Sequence, residues 1–199
     1  MEAEIKLRAA SLKDAEAMLE IYRPYVETTA ISFEWESPSL EVFREKIKNL
    51  LPKYPCLAAE REGEIVGYAY TAPYIARRAY DWTAEATIYI RADQRGKGLG
   101  RRLYTALERI SELQGIRRLY VCVAVPAAED EYLTRNSADF HEHIGFRRIG
   151  TFRDCGYKFG NWYDMIWMEK ILKAPGPAEA TIPFSEIPAE KARSLLSSI

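Results

Sequence analysis

Glu85-Ala86-Thr87-Ile88-Tyr89-Ile90 reads as a strand that opens on a carboxylate, and soon after it the chain enters Arg95-Gly96-Lys97-Gly98-Leu99-Gly100. Glycines at alternate positions between a strand and a helix let several backbone N–H groups converge on one point, which is how a backbone cradles phosphate. A helix beginning near Gly98 adds unpaired N–H donors and the positive end of its dipole. Arg95, Lys97, Arg101 and Arg102 surround the same point with mobile positive charge. The stretch is read as a pyrophosphate-binding loop.

Spacing removes two pyrophosphate ligands. A nucleoside-triphosphate loop needs Gly-Lys followed by Ser or Thr, whereas Lys97 is followed by Gly98. A dinucleotide fold needs G-x-G-x-x-G in its first strand-turn-helix, and this G-x-G-x-G lies midway along the chain. The segment Gln94 to Gly100 resembles instead the acetyl-CoA loop Q/R-x-x-G-x-G/A of the GNAT acetyltransferase superfamily. Thr29-Ala30-Ile31-Ser32-Phe33-Glu34, Ala79-Tyr80-Asp81-Trp82-Thr83 and Lys158-Phe159-Gly160-Asn161-Trp162-Tyr163-Asp164 sharpen the resemblance to its phosphinothricin and methionine sulfone N-acetyltransferase group.

Acetyl transfer from a thioester to an amine poses two proton problems, since the amine must lose a proton and the departing thiolate prefers to gain one. Glu85 is the candidate base, against the plainer reading of a strand-end carboxylate facing water. The resemblance puts His141 where many relatives carry a tyrosine near the departing sulfur, and it implies that Asn136 and Phe140 on the same helix contact the cofactor. It also implies that the backbone around Ile88, Tyr89 and Ile90 pairs with pantetheine, and that Arg95, Gly96, Lys97, Gly98, Leu99, Gly100 and Arg101 hold the phosphates. Asn136 would serve equally as a helix N-cap.

The implied acceptor is a small zwitterion of the phosphinothricin, methionine sulfone or methionine sulfoximine type. Arg77 suits its carboxylate, because a guanidinium makes bidentate contacts. Phe33, Glu34, Tyr80, Trp82 and Lys158 are further candidates for the acceptor pocket, with core packing as the alternative for the aromatics. Acetylation of another amine (a protein N-terminus, a lysine or a polyamine) and non-catalytic binding of acetyl-CoA are the competing functions.

A formal net charge of −1 over 199 residues provides no field for nucleic acid or an anionic membrane. Cys56, Cys122 and Cys155 are odd in number and widely spaced, so neither a disulfide framework nor a zinc knuckle is expected. His141 and His143 point to different faces of a helix, and no metal is expected. With neither a leader at Met1–Lys6 nor a long apolar run, the expectation is a soluble, cytoplasmic protein; the resemblance adds a homodimer.

Hydrophobic periodicity gives the elements that position these residues. A half-buried strand at Ile5–Ala9 precedes a helix capped by Ser11 that ends near Pro24 or a turn later. Ser37-Pro38 should open a second helix with Leu40, Phe43, Ile47 and Leu50 on one face. A hairpin turns at Glu62-Gly63-Glu64, and the loop helix runs from Gly98 to about Leu113 with Gly115 as its stop. A strand buried on both faces at Leu119–Val125, a helix at Asn136–Gly145 and strands at 147–154 and 161–170 follow. The fold class is α/β, and the resemblance makes it a GNAT fold, a mixed, mostly antiparallel sheet with helices on both faces. Residues 1–173 form the expected domain, and the proline-rich 174–199 an extension with a short helix from Ala189.

Overall fold

Ser11 starts the first helical segment through a reciprocal cap. Its hydroxyl accepts the Lys13 N–H while the Asp14 carboxylate accepts the Ser11 N–H at 2.7 Å. The computed structural model describes residues 4–199, so the first three residues of the expected domain 1–173, half of the stretch scanned for a leader, lie outside the described residues. The elements in order are β1 (Lys6–Ala9), α1 (Ala15–Glu27), α2 (Leu40–Leu50), β2 (Cys56–Arg61), β3 (Glu64–Pro73), β4 (Thr83–Ile90), α3 (Leu99–Gln114), β5 (Arg118–Val125), α4 (Asn136–His143), β6 (Arg147–Lys158), β7 (Asn161–Ile171) and α5 (Ala189–Ser197). The chain divides into a unit built from the residues through Ile21, Ser39–Leu119 and Ile171–Ile199, and a unit built from Tyr22–Pro38 and Tyr120–Lys170.

In the first unit β1, β2, β3 and β4 lie side by side, each antiparallel to the next. Glu62 and Gly63 turn the β2–β3 hairpin with φ of 53° and 85°, a left-handed pair that matches the twist of the strands. One face of these strands carries Leu7, Leu57, Ala59 and Val66, packed with Leu99, Leu103 and Leu107 of α3 and Ala192 and Leu196 of α5. The opposite face carries Tyr68, which meets Phe43 of α2 edge-on at 6.5 Å. Helices therefore cover both faces.

Local details differ from the sequence expectation at α2, β5 and β6, the last of which runs to Lys158 rather than Asp154, while α1 ends at Glu27, a turn after Pro24, as expected. Ser39, not Ser37, caps α2, because its hydroxyl reaches the Val42 N–H at 3.2 Å. Helix α1 accommodates Pro24 in its last turn, and the Pro24 carbonyl accepts both the N–H and the hydroxyl of Thr28. Strand β5 is buried at alternate positions over its first half, so only its second half is the doubly covered strand expected. Gly115 ends α3 as foreseen, at φ 86°.

The extension is part of the first unit's core. Ile187, Ala192 and Leu196 are buried, Gln114 Nε2 donates to the Ile182 carbonyl at 3.0 Å, and the Arg117 guanidinium donates to the carbonyls of Ala174 (2.7 Å) and Pro177 (2.5 Å).

In the second unit β5, β7 and β6 are neighbours in that order, and β6 and β7 form an antiparallel hairpin turning at Phe159 and Gly160. A small core of Ala30, Ala124, Leu133 and Tyr163 lies here. The long connection before α4 is organised by Asp130, whose carboxylate accepts the N–H groups of Tyr132 and Leu133 and the Tyr163 hydroxyl at 2.7 Å.

Candidate active site

Glu85 lies opposite Ala72 in the β3–β4 ladder, and Thr87 lies opposite Tyr70. Directly opposed residues and alternate residues share a face, so Glu85, Thr87, Tyr70 and Ala72 all look toward the side covered by α2. Glu85 is half-buried, and burial pushes its carboxyl above the usual range, partly offset by the charge of Lys46 on α2. Lys46 lies over the Tyr70 ring at 5.4 Å. The sequence gives no signal for Lys46, since a lysine in Arg44-Glu45-Lys46-Ile47-Lys48 reads as a solvated helix face.

The Arg91 N–H donates to the Val66 carbonyl, which fixes the alternation along β4. The polar backbone of Tyr89 consequently points toward β3, whereas that of Ile88 and Ile90 points away from it. Of the three residues expected to pair with pantetheine, Tyr89 is thus committed to the ladder, and its ring packs on Tyr68 at 5.6 Å.

The turn after β4 is held by Asp93, whose carboxylate accepts hydrogen bonds from Arg91 and from Gln94 Nε2. Gly96 and Gly98 then adopt φ of 72° and 79°, with open space where a Cβ would stand. Conformation rather than crowding therefore demands glycine here. Helix α3 starts with no side-chain cap at Gly98 and no acidic residue in its first turn, and Arg95, Lys97 and Arg101 are exposed around it. An uncovered positive helix end beneath a left-handed loop fits a pyrophosphate. Leu99 and Gly100 are buried and support the loop from below. Arg102 departs from the expectation of mobile charge, since its Nη2 donates to the Ile5 carbonyl at 3.0 Å.

Elsewhere in the first unit, Arg77 is exposed just before a 3₁₀ turn at Arg78–Tyr80, and Tyr80 packs edge-on against Tyr74 at 5.7 Å. Trp82 is held at both ends: its indole N–H donates to the Glu179 carbonyl at 2.6 Å, and its own carbonyl accepts the Arg117 N–H at 2.8 Å. Its polar tip serves the extension rather than an acceptor.

The second unit holds the remaining candidates. Lys158 is 3 % exposed, and its ammonium donates to the carbonyls of Val26 (2.6 Å), Thr29 (3.0 Å) and Ser32 (2.8 Å). Three carbonyls use its three protons, so Lys158 shapes the 26–34 loop and is not an acceptor ligand. Burial lowers the Lys158 pKa, and nearby Glu34, itself exposed, opposes that shift. Phe33 lies against Gly156, where an added Cβ would come within 2.2 Å of the ring. Only glycine admits that contact.

Asn136 is the first residue of α4, and Arg135 occupies the cap position, so the N-cap alternative for Asn136 falls. Phe140 is half-buried and stands edge-on to His141 at 5.2 Å. His141 is 5 % exposed, and its Nδ1 lies 2.6 Å from the Ser137 carbonyl, which fixes the proton on Nδ1. Burial pulls the His141 pKa down to about 4. At neutral pH the ring is therefore uncharged, with its proton on Nδ1. Among the described residues no three His, Cys, Asp or Glu side chains converge as they would around a metal, and no helix is long and apolar enough to cross a membrane.

This loop, strand carboxylate and helix order are those of an acetyl-CoA-dependent acyltransferase fold. Residues 7–167 match the acetyltransferase (GNAT) domain, and the chain belongs to the GNAT acetyltransferase family. It is 33% identical to a phosphinothricin N-acetyltransferase of Streptomyces viridochromogenes, over 92% of this chain and 96% of the relative. It is 32% identical to an L-methionine sulfoximine/L-methionine sulfone acetyltransferase of Pseudomonas aeruginosa, over 83% of this chain and 94% of the relative. A phosphinothricin acetyltransferase of Sinorhizobium meliloti solved with acetyl-CoA superposes with a TM-score of 0.80 at 29% identity, covering 93% of this chain and 98% of its own.

Proposed function

We propose that this protein transfers the acetyl group of acetyl-CoA to the amine of a small amino-acid-like acceptor of the phosphinothricin, methionine sulfone or methionine sulfoximine type. The observation that carries the reading is a half-buried carboxylate, Glu85, on the strand that runs directly into the left-handed glycine loop and the uncapped start of α3. Acetyl-CoA supplies an activated acetyl thioester. The N–H groups of the Gly96–Gly100 loop, with Arg95, Lys97 and Arg101, hold its pyrophosphate, and the backbone of Ile88 and Ile90 aligns its pantetheine arm. Leu99, Asn136 and Phe140 complete the cofactor contacts.

Glu85 takes the proton from the acceptor ammonium, and a raised pKa makes it a stronger base than an exposed carboxylate. Arg77 binds the acceptor carboxylate, with Tyr80, Phe33 and Glu34 around the rest of it. His141 serves as a hydrogen-bond acceptor through Nε2, and protonation of the departing thiolate falls to solvent. The exposed apolar side chains Phe152, Tyr157 and Trp162 on the β6–β7 hairpin support a homodimer, and the cytoplasm suits three free cysteines.

The test mixes the protein with acetyl-CoA and a panel of phosphinothricin, methionine sulfone, methionine sulfoximine, polyamines and short peptides, and follows free thiol release. Release with one of the first three is expected. Release with peptides or polyamines alone would overturn the acceptor class, and silence with intact acetyl-CoA binding would overturn the transferase reading for these acceptors. Sedimentation of the protein tests the dimer.

A further inference from the structure

Between β7 and Pro183 the chain runs without helix or strand, yet it is fastened repeatedly to the entry of β4. Trp82 joins it through both ends: the indole N–H donates to the Glu179 carbonyl at 2.6 Å, and the Trp82 carbonyl accepts the Arg117 N–H at 2.8 Å. The Arg117 guanidinium forks onto the carbonyls of Ala174 and Pro177, and the Arg117 carbonyl accepts the N–H groups of Leu172 and Lys173. Trp82, Arg117 and the segment 172–179 thus close a ring of hydrogen bonds ahead of Glu85.

The next residues of the extension reach α2. Gln114, 3 % exposed at the end of α3, donates through its amide nitrogen to the carbonyls of Ile182 (3.0 Å) and Lys53 (2.8 Å). The N–H groups of Phe184 and Ser185 donate to the carbonyls of Lys53 and Pro52. Both lie just past α2, the helix whose Lys46 acts on Glu85. One segment therefore holds both the strand of the base and the helix of its neighbouring cation. Toward β3 the support of Glu85 runs out quickly, because that ladder ends at Ala84 opposite Pro73, and a proline has no N–H to give. From Glu85 back to Trp82 is only about 10 Å of extended chain.

We propose that the extension positions the catalytic base: by fixing the entry of β4 it sets the Glu85 carboxylate against the acceptor amine, with Trp82 and Arg117 as the positioning residues through which it acts. The assignment rests on the acetyl-transfer reading above and concerns where the base stands, whatever the acceptor. The glycine loop at the far end of β4 is held separately, by Arg91 and Asp93. Slackening the ring should therefore reach the base and spare the cofactor.

Trp82→Phe keeps an aromatic ring and removes the indole N–H, while Arg117→Met opens the ring from its other side. Assayed where each variant is fully folded, with whichever acceptor of the panel is acetylated, each should lower kcat about tenfold, since misplacement of a reacting group by about 1 Å costs on the order of 100-fold. Acceptor KM and acetyl-CoA affinity should stay within about twofold, and the double variant should lose no more than about twofold beyond the worse single one, because both changes open one ring. That non-additivity also separates the ring from the lost charge of Arg117, since Trp82→Phe changes no charge. Unchanged kcat, losses that multiply in the double variant, or a rise in acceptor KM confined to Trp82→Phe would overturn the assignment while leaving acetyl transfer standing. Should no acceptor be acetylated, hydrogen exchange of the Thr83–Glu85 amides decides the brace separately. Exchange that Trp82→Phe accelerates about tenfold would uphold the brace and leave acetyl transfer as the reading that failed, and unaltered exchange would overturn both.

Discussion

The ammonium of Lys158, on the last residue of β6, lies 2.6 Å from the carbonyl oxygen of Val26, in the last turn of α1, and both atoms are buried. With Thr29 and Ser32 as its other acceptors, one side chain holds the loop that carries Phe33 and Glu34. Lys158→Met leaves three backbone carbonyls without that partner and should destabilise the protein by roughly 3 kcal/mol. Acceptor KM should rise about tenfold, with acetyl-CoA affinity held within about twofold. Calorimetry and steady-state kinetics measure both, and an unaltered acceptor KM would detach this loop from the acceptor side.

Glu85 acts as a base only when ionised, and burial raises its pKa above the ordinary 4.5. The rate should therefore climb with pH along a limb that lies above the usual carboxylate range. Glu85→Gln should lower kcat about 100-fold or more and abolish that limb, while acetyl-CoA still binds. A limb that persists in the variant would assign the titration to another group.

His141 is held neutral, its pKa lowered from 6.5 to about 4 by burial. Its folded value lies below its unfolded one, so its contribution is complete above about pH 6.5 and drains away as pH falls toward 4. The loss is on the order of 3 kcal/mol. Thermal unfolding followed across this window should show the decline, and His141→Gln should flatten it.

Leu196 is 4 % exposed in the cluster that α5 shares with α3 and β1. Leu196→Ala should cost about 2–4 kcal/mol and lower Tm by roughly 5–10 °C. A change of a degree or less would show that α5 is dispensable for the core.

The left-handed glycine loop, the strand that carries Glu85 and the order of the elements were legible in the sequence because each rests on local chemistry. Alternating glycines, a strand period and a helix stop at Gly115 carry their own signals. What could not be read were roles set by distant partners. Lys158 looked like a pocket residue until its three acceptors, more than a hundred residues away in the chain, accounted for its charge. The tautomer of His141 depended on one carbonyl, and the positive charge that acts on Glu85 depended on α2 bringing Lys46 over Tyr70. Proline-rich composition made 174–199 look like an appendage, although Ile187 and Leu196 are core residues.

The tie between Trp82 and Glu179 spans 97 residues and secures the entry to β4 just ahead of Glu85. On a ribosome that separation is a delay. At about 5–20 residues per second, roughly 5–20 s pass between the emergence of β4 and that of the carbonyl that ties its entry. The strand that carries Glu85 is thus fastened long after it is synthesised, so a nascent chain interrupted before residue 174 would carry Glu85 and the whole glycine loop and still present them on an unbraced strand.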